Sequence, residues 1–243
     1  MKKLPFFPTL GTVVKKSFSE VYSSMGLSIL ISSTWCLGFL PILFMLYGFW
    51  GGMATTHGLG VNNDRFMFFG TGMLIIAFWN GLFTGPLTTA WYSLYQARKT
   101  DYPSFGLFVQ LFKKHYWCSA GIHWLFSGAL VILLLNMLIA VRNSNLLLTI
   151  AGTLSTYILL LVSLCFFYFH PLIQLDNTFK KVVKKSFLLV LDNFGLSLWM
   201  SLILSVLFLF SILLVFPLLL IYGAVVIYMI DKGFELIYQK YDE

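Results

Sequence analysis

Two histidines, His123 and His170, have the most chemical scope in the apolar part of this sequence. The first lies inside a long uncharged stretch, and the second ends another, beside Pro171. An imidazole can carry a proton or ligate a metal, but a metal site needs further ligands around it. No His-Glu-x-x-His, Cys-x-x-Cys or paired-carboxylate spacing accompanies them, so no metal is expected. Every Asp and Glu falls outside the stretches that read as membrane spans, which leaves general acid–base chemistry without a carboxylate inside the membrane. A glycine-rich nucleotide loop is also missing. The chain is therefore expected to be no enzyme and to need no cofactor. Cys36, Cys118 and Cys165 are odd in number and sit in apolar runs, where a thiol behaves as a small buried hydrophobe.

The remaining polar side chains are small and periodic. Ser24, Ser28, Ser32 and Cys36 recur every four residues, and Asn193, Ser197, Ser201 and Ser205 form a second stripe of the same kind. Small residues at that interval let helix backbones approach closely, so Ser24, Ser28, Ser32, Ser197, Ser201 and Ser205 are expected to be helix-packing positions. Gly48 to Gly52 and Gly81 to Gly85 have the related GxxxG spacing. A polar path through the membrane is the alternative use of such hydroxyls, and His123, Asn80 and Asn136 are the other polar groups in or near the spans.

The elements that carry these residues follow from composition. Of 243 residues, 59% are hydrophobic and only 10% charged, where a soluble domain carries roughly 25% charged. With a mean hydropathy of +0.86, a soluble globular protein and a disordered chain are both excluded, and an all-α, polytopic bundle of transmembrane helices is expected as one domain over 1–243. The net charge of +7 is dispersed among the apolar runs as small clusters, so nucleic acid is not an expected partner. The N-terminal lysines lack an uninterrupted apolar run behind them, and no cleaved signal is expected. Uncharged stretches place five spans near 25–50, 67–86, 117–141, 146–170 and 194–216, the last continuing beyond a kink at Pro217 to about 230. Twelve Lys and Arg fall in the N-terminal segment and the second and fourth connections, against Arg65 and Arg142 in the first and third. That asymmetry predicts a multi-pass cell-membrane protein with a cytoplasmic N-terminus and, with five spans, a C-terminus outside.

A repeat organises the two ends of the chain. Val13-Val14-Lys15-Lys16-Ser17-Phe18 recurs as Val182-Val183-Lys184-Lys185-Ser186-Phe187, and the likeness extends over 13–32 and 182–201. Phe112-Lys113-Lys114 gives a fainter third copy. Phe179, Val182, Val183, Ser186, Phe187 and Val190 share one helical face opposite Lys180, Lys181, Lys184 and Lys185, and Leu10, Val14, Phe18 and Tyr22 form the matching face opposite Lys15 and Lys16. Such basic amphipathic helices lie at the cytoplasmic interface against anionic headgroups or dock a membrane partner. The expected interface residues are therefore Lys15, Lys16, Lys113, Lys114, Lys180, Lys181, Lys184 and Lys185. Prolines at Pro41, Pro86, Pro171 and Pro217 are expected to kink or stop the spans.

Gly85-Pro86-Leu87-Thr88-Thr89-Ala90, the helix ending Arg98-Lys99, the aromatic run from 108 to 116, and His170-Pro171-Leu172 before the basic helix resemble the YesL-like family of bacterial membrane proteins of unknown function. The likeness covers about residues 20 to 230, with a longer insertion over 51–66 than the family has. The resemblance implies a helical bundle of about five spans, often encoded beside carbohydrate ABC importers, and offers no catalytic residues. The functional expectation is a non-enzymatic accessory or regulatory subunit that contacts the permease subunits of a carbohydrate ABC importer. A small stand-alone transporter or permease is the alternative.

Overall fold

The computed structural model describes residues 6–36, 38, 63–98, 104–142, 145–214 and 218–242, and these form an all-α bundle. The chain runs through α1 (Phe6–Ser23), α2 (Met25–Cys36), α3 (Asn63–Trp79), a π-helical turn (Asn80–Thr84) and α4 (Gly85–Ala97). It continues through α5 (Phe105–Arg142), α6 (Leu146–Gln174), α7 (Phe179–Asp192), α8 (Phe194–Leu214), a second π turn (Leu218–Tyr222) and α9 (Gly223–Asp242). Four stretches are long and apolar enough to cross a bilayer: Gly70–Ala97, Phe105–Val141, Leu146–Gln174 and Phe194–Ser211. Most of the first expected span beyond Cys36 lies outside the described residues, as do Pro41, Gly48, Gly52 and Pro217. Leu74, Ile75, Phe78, Trp124, Leu125, Leu154, Leu202 and Phe210 are exposed on the long helices. In a bilayer such side chains meet lipid tails, which are as apolar as they are.

Three inner segments make the buried centre. Residues 90–95 of α4, 168–173 of α6 and 223–231 of α9 are all buried, and the three helices touch one another. Around them, α5 packs on α4 and α6, α7 packs on α6, and α1 packs on α9.

The repeat survives as a repeated break. Helix α1 ends at Ser23 and α7 ends at Asp192, each followed by one residue and a new helix. The bridging bonds correspond: Ser24 N to Glu20 O (3.1 Å) and Ser28 N to Ser24 O (2.9 Å), against Asn193 N to Leu189 O (3.0 Å) and Ser197 N to Asn193 O (3.1 Å). The buried stripe is also shared, being Val13, Ser17 and Val21 in α1 and Val182, Ser186 and Val190 in α7. This corrects the face expected for α1, since Phe18 is 42% and Tyr22 84% exposed. Valine and serine are the smaller side chains, and they let the interfacial helix lie close to its neighbour while the large rings point outward. In the third copy no break occurs. The amphipathic segment is continuous with the span in the 38 residues of α5, about 57 Å of helix against a hydrocarbon core of about 30 Å.

The prolines act differently from the expectation. Pro86 does not end the second span at 86, because the helix widens just before it: Gly85 N–H donates to Asn80 O, five residues back. A π turn relieves the clash between a proline ring and the carbonyl of the preceding turn, so the span runs on to Ala97. Pro171 likewise lies inside α6, which continues to Gln174.

The chain after α8 turns back and does not continue outward as a kinked helix. Tyr222 donates to Leu204 O at 3.3 Å and its ring lies 5.3 Å from Phe208, while Met200 covers Gly233. Helix α9 is thus antiparallel to α8, with Tyr228 against α1 and α2 and Ile237 in the cluster that holds Val182 and Val190 of α7. The 21 residues of α8 already span about 32 Å. In the sequence Val215, Phe216 and Pro217 separate α8 from the second π turn, and none of them is polar, so nothing announces the reversal.

Candidate functional site

Wherever a helix carries a small residue toward a neighbour in this bundle, backbones come close. A Cβ on Gly81 would meet Trp124 Cβ at 2.9 Å, and one on Gly85 would enter the His123 ring. The π turn between these glycines rotates the end of α3 relative to α4, so that Asn80, Thr84 and Thr88 share one side of the bundle. That side bounds a cavity of about 480 Å³ between α2, the π turn, α4, α5, α6, α8 and the second π turn with the start of α9. Small-molecule sites occupy about 300–1,000 Å³. The cavity lies at mid-depth, since α8 contributes 201–209 from the centre of its length.

Three kinds of side chain line it, the aliphatic ones being Leu204, Leu209, Val226 and Ile230. Phe166, Phe167, Phe208, Tyr222 and Trp35 supply aromatic walls, with the Trp35 and Tyr222 ring centroids 5.8 Å apart. Asn80, Thr84, Thr88, His123, Ser163, His170, Ser201 and Ser205 supply the polar groups, and no charged side chain is among the lining residues described. No group of three His, Cys, Asp or Glu suited to a metal occurs among the described residues.

The two histidines are brought together and wired to each other. Their rings stack with centroids 5.2 Å apart, both nearly sealed from solvent at 2% and 5% exposure. Thr89 Oγ1 lies 2.9 Å from His170 Nδ1 and 2.8 Å from Ser119 Oγ, and Ser119 Oγ lies 3.3 Å from His123 Nδ1. Thr89 also donates to Gly85 O at 3.0 Å, and His123 Nδ1 is 2.9 Å from Ser119 O. One assignment uses every hydrogen. Thr89 gives its proton to Gly85 O and accepts from Ser119 and from His170 Nδ1–H, while His123 Nδ1–H goes to Ser119 O. Both Nε2 atoms are then bare acceptors, and neither has a partner among the described residues.

Behind His170, the Tyr92 ring at 6.4 Å leads to a buried carboxylate. Asp231 is 1% exposed and accepts from Tyr92 OH at 3.2 Å and from the Gln96 amide, with Lys232 Nζ at 3.3 Å. Lys232 also donates to Glu235 at 3.0 Å.

The residues singled out in the sequence divide between packing, lining and surface. Ser28 and Ser32 are 1% and 0% exposed: Ser28 Oγ lies 3.1 Å from Tyr228 OH, and Ser32 Oγ accepts from Ala224 N at 3.1 Å. Ser24 reaches the same Tyr228 OH at 3.1 Å, and Ser197 is buried against Tyr168 OH at 2.5 Å. Ser201 and Ser205, from the same stripe as Ser197, line the cavity. Lys15, Lys16, Lys113, Lys114, Lys180, Lys181, Lys184 and Lys185 are exposed, with Lys114 paired to Asp176 at 2.9 Å and Lys185 donating to Asn177 at 2.9 Å. Thr84, Thr88, Thr89, Ser119, Ser163, Tyr92 and Asp231 were not legible as site residues. The one signal was the cluster Thr84, Thr88 and Thr89 around Gly85-Pro86, unusually polar for a span. Compared with known protein families, curated proteins and solved structures, the chain shows no match.

Proposed function

We propose that this protein is a small stand-alone membrane transporter that holds a small solute in the mid-depth cavity. The observation that carries this reading is the convergence of polar side chains from several helices, His123 and His170 included, on one space inside an otherwise apolar bundle. Polar groups at such depth are costly in a membrane and mark solute pathways. The reading departs from the accessory role expected from sequence because the sparse polar groups of separate spans meet in one place.

The proposed orientation puts both termini on the cytoplasmic side. The basic segments of α1 and α7 lie at the end of the bundle where α9 terminates, and the reversal after α8 adds a return crossing that makes the number of spans even. Reconstituted into liposomes, the protein is expected to admit one class among labelled polyols, hexoses, amino acids and organic cations faster than protein-free vesicles do. Ser205→Trp, which fills the cavity, is expected to abolish that flux. Flux indistinguishable from empty vesicles for the whole panel would contradict the proposal.

An accessory subunit of a carbohydrate ABC importer is the second reading, favoured by the exposed lysines of α7 beside exposed Phe179, Phe187, Leu188 and Leu191. It expects permease subunits to co-purify from the native membrane, and expects Lys180, Lys181, Lys184 and Lys185 changed together to Gln to release them.

A further inference from the structure

The cavity lining is weighted toward hydrogen-bond acceptors. Ser163 donates to Leu159 O at 2.8 Å, Ser205 to Ser201 O at 2.9 Å, Thr88 to Thr84 O at 2.7 Å and Tyr222 to Leu204 O at 3.3 Å. Each of these lining hydroxyls has spent its only hydrogen on backbone, and what remains is lone pairs. Of the lining donors on nitrogen, Trp35 Nε1 is taken by Thr88 Oγ1 at 2.7 Å, and Asn80 Nδ2 gives one of its two hydrogens to Ser127 Oγ at 2.6 Å. In the assignment that uses every hydrogen of the chain through Thr89 and Ser119, both histidines carry theirs on Nδ1 and each Nε2 is an acceptor. Thr84 Oγ1 is buried with no partner, and its hydroxyl, with that of Ser201 and the second Asn80 hydrogen, is the donor share of the wall. Buried polar groups of this kind cost free energy until partners arrive to meet them.

Charge narrows the occupant further. A cation would have acceptors and aromatic faces to meet but no carboxylate, since Asp231 is engaged by Tyr92, Gln96 and Lys232 behind the cavity. A bare cation at this depth would lack a counter-charge, and an anion would find no Lys or Arg among the described lining residues. The aromatic walls Trp35, Tyr222 and Phe208 offer flat faces to C–H groups.

The geometry points to an uncharged, donor-rich ligand of polyol type, its hydroxyls donating to His123 Nε2, His170 Nε2 and the lone pairs of Ser163 and Ser205 and accepting from Thr84 Oγ1 and the spare Asn80 hydrogen. This assignment rests on the cavity's being the solute site and names the chemical class that the site takes.

The test is equilibrium binding of tritiated myo-inositol to the full chain in lipid nanodiscs, competed by deoxyfluoro analogues, tetramethylammonium and phosphate. A fluorine keeps the size of a hydroxyl and removes its donor. Unlabelled myo-inositol is expected to displace the label, with analogues bearing several fluorines weaker by about tenfold or more and neither ion competing. Ser163→Ala with Ser205→Ala, which removes two acceptors and leaves the backbone bonds of the helices intact, is expected to weaken binding by about tenfold. Fluoro analogues that compete as well as the parent, or a double variant that folds and binds as wild type does, would overturn the donor-rich assignment while leaving a solute site in place. Direct binding of labelled tetramethylammonium or phosphate, with none of myo-inositol, would do the same. Binding of no probe at all would remove the solute site itself.

Discussion

Replacing Ser28 by leucine tests how tightly the inner helix α9 is gripped by the first half of the repeat. Ser28 is 1% exposed, and its Oγ lies 3.1 Å from Tyr228 OH, itself fully buried. Leucine there adds two heavy atoms to a site with no room and removes the hydroxyl that meets Tyr228. Overpacking costs about 1–3 kcal/mol, and an interhelical hydrogen bond within a membrane contributes about 0.6 kcal/mol. The sum is about 2–4 kcal/mol, and Ser28→Ala, which loses only the bond, is expected well below that range, at about 0.6 kcal/mol. Its repeat mate Ser197, 1% exposed against Tyr168, is expected to respond in kind. Ser205 is the control, because it faces the cavity, and Ser205→Leu is expected to change stability by less than about 0.5 kcal/mol. Reversible SDS unfolding in mixed micelles reads all four variants. Equal unfolding free energies for Ser28→Leu and Ser205→Leu would refute the reasoning, because burial against Tyr228 would then count for nothing.

Other consequences can be checked separately. Gly85→Ala drives a methyl into the His123 ring and is expected to cost about 1–3 kcal/mol, with a shifted His123 imidazole resonance in the NMR spectrum. Asp231→Ala removes a buried partner of Lys232, Tyr92 and Gln96 and is expected to destabilise by about 3 kcal/mol or more in the same unfolding assay. In a cysteine-free background, cysteines at Ser104 and Gln239 are expected to react with an impermeant thiol reagent from the same side of the membrane, and one at Asn145 from the other. Labelling of Ser104 and Gln239 from opposite sides would remove the return crossing.

The helical class and the basic amphipathic helices were legible because each depends on local pattern, as charge-free runs and a 3.6-residue period do. The repeat was legible for the same reason, and its break at Ser24 and Asn193 follows the sequence offset residue for residue. The hairpin after α8 was not, since the sequence between α8 and the second π turn, Val215-Phe216-Pro217, carries none of the polar signature of a turn in water. Pro86 was misread as a stop because a π turn, which depends on five residues and their neighbours, absorbs it. The cavity was half visible. His123, Asn80 and the serines were named from sequence as the sparse material for a path, but their convergence depends on long-range packing. The Thr89 and Ser119 bridge joins residues 30 positions apart, and Thr89 to His170 spans 81.

The central claim is that a polar space at mid-depth admits solutes, and cysteine accessibility tests it most directly. With Cys36, Cys118 and Cys165 replaced, single cysteines at Ser163, Ser205 and the exposed, outward-facing Leu202 are treated in liposomes with a small water-soluble methanethiosulfonate. The account predicts modification at Ser163 and Ser205, slowed by the ligand that the cavity binds, and none at Leu202. Silence at both serines, or reaction at Leu202 as fast as at Ser205, would contradict it.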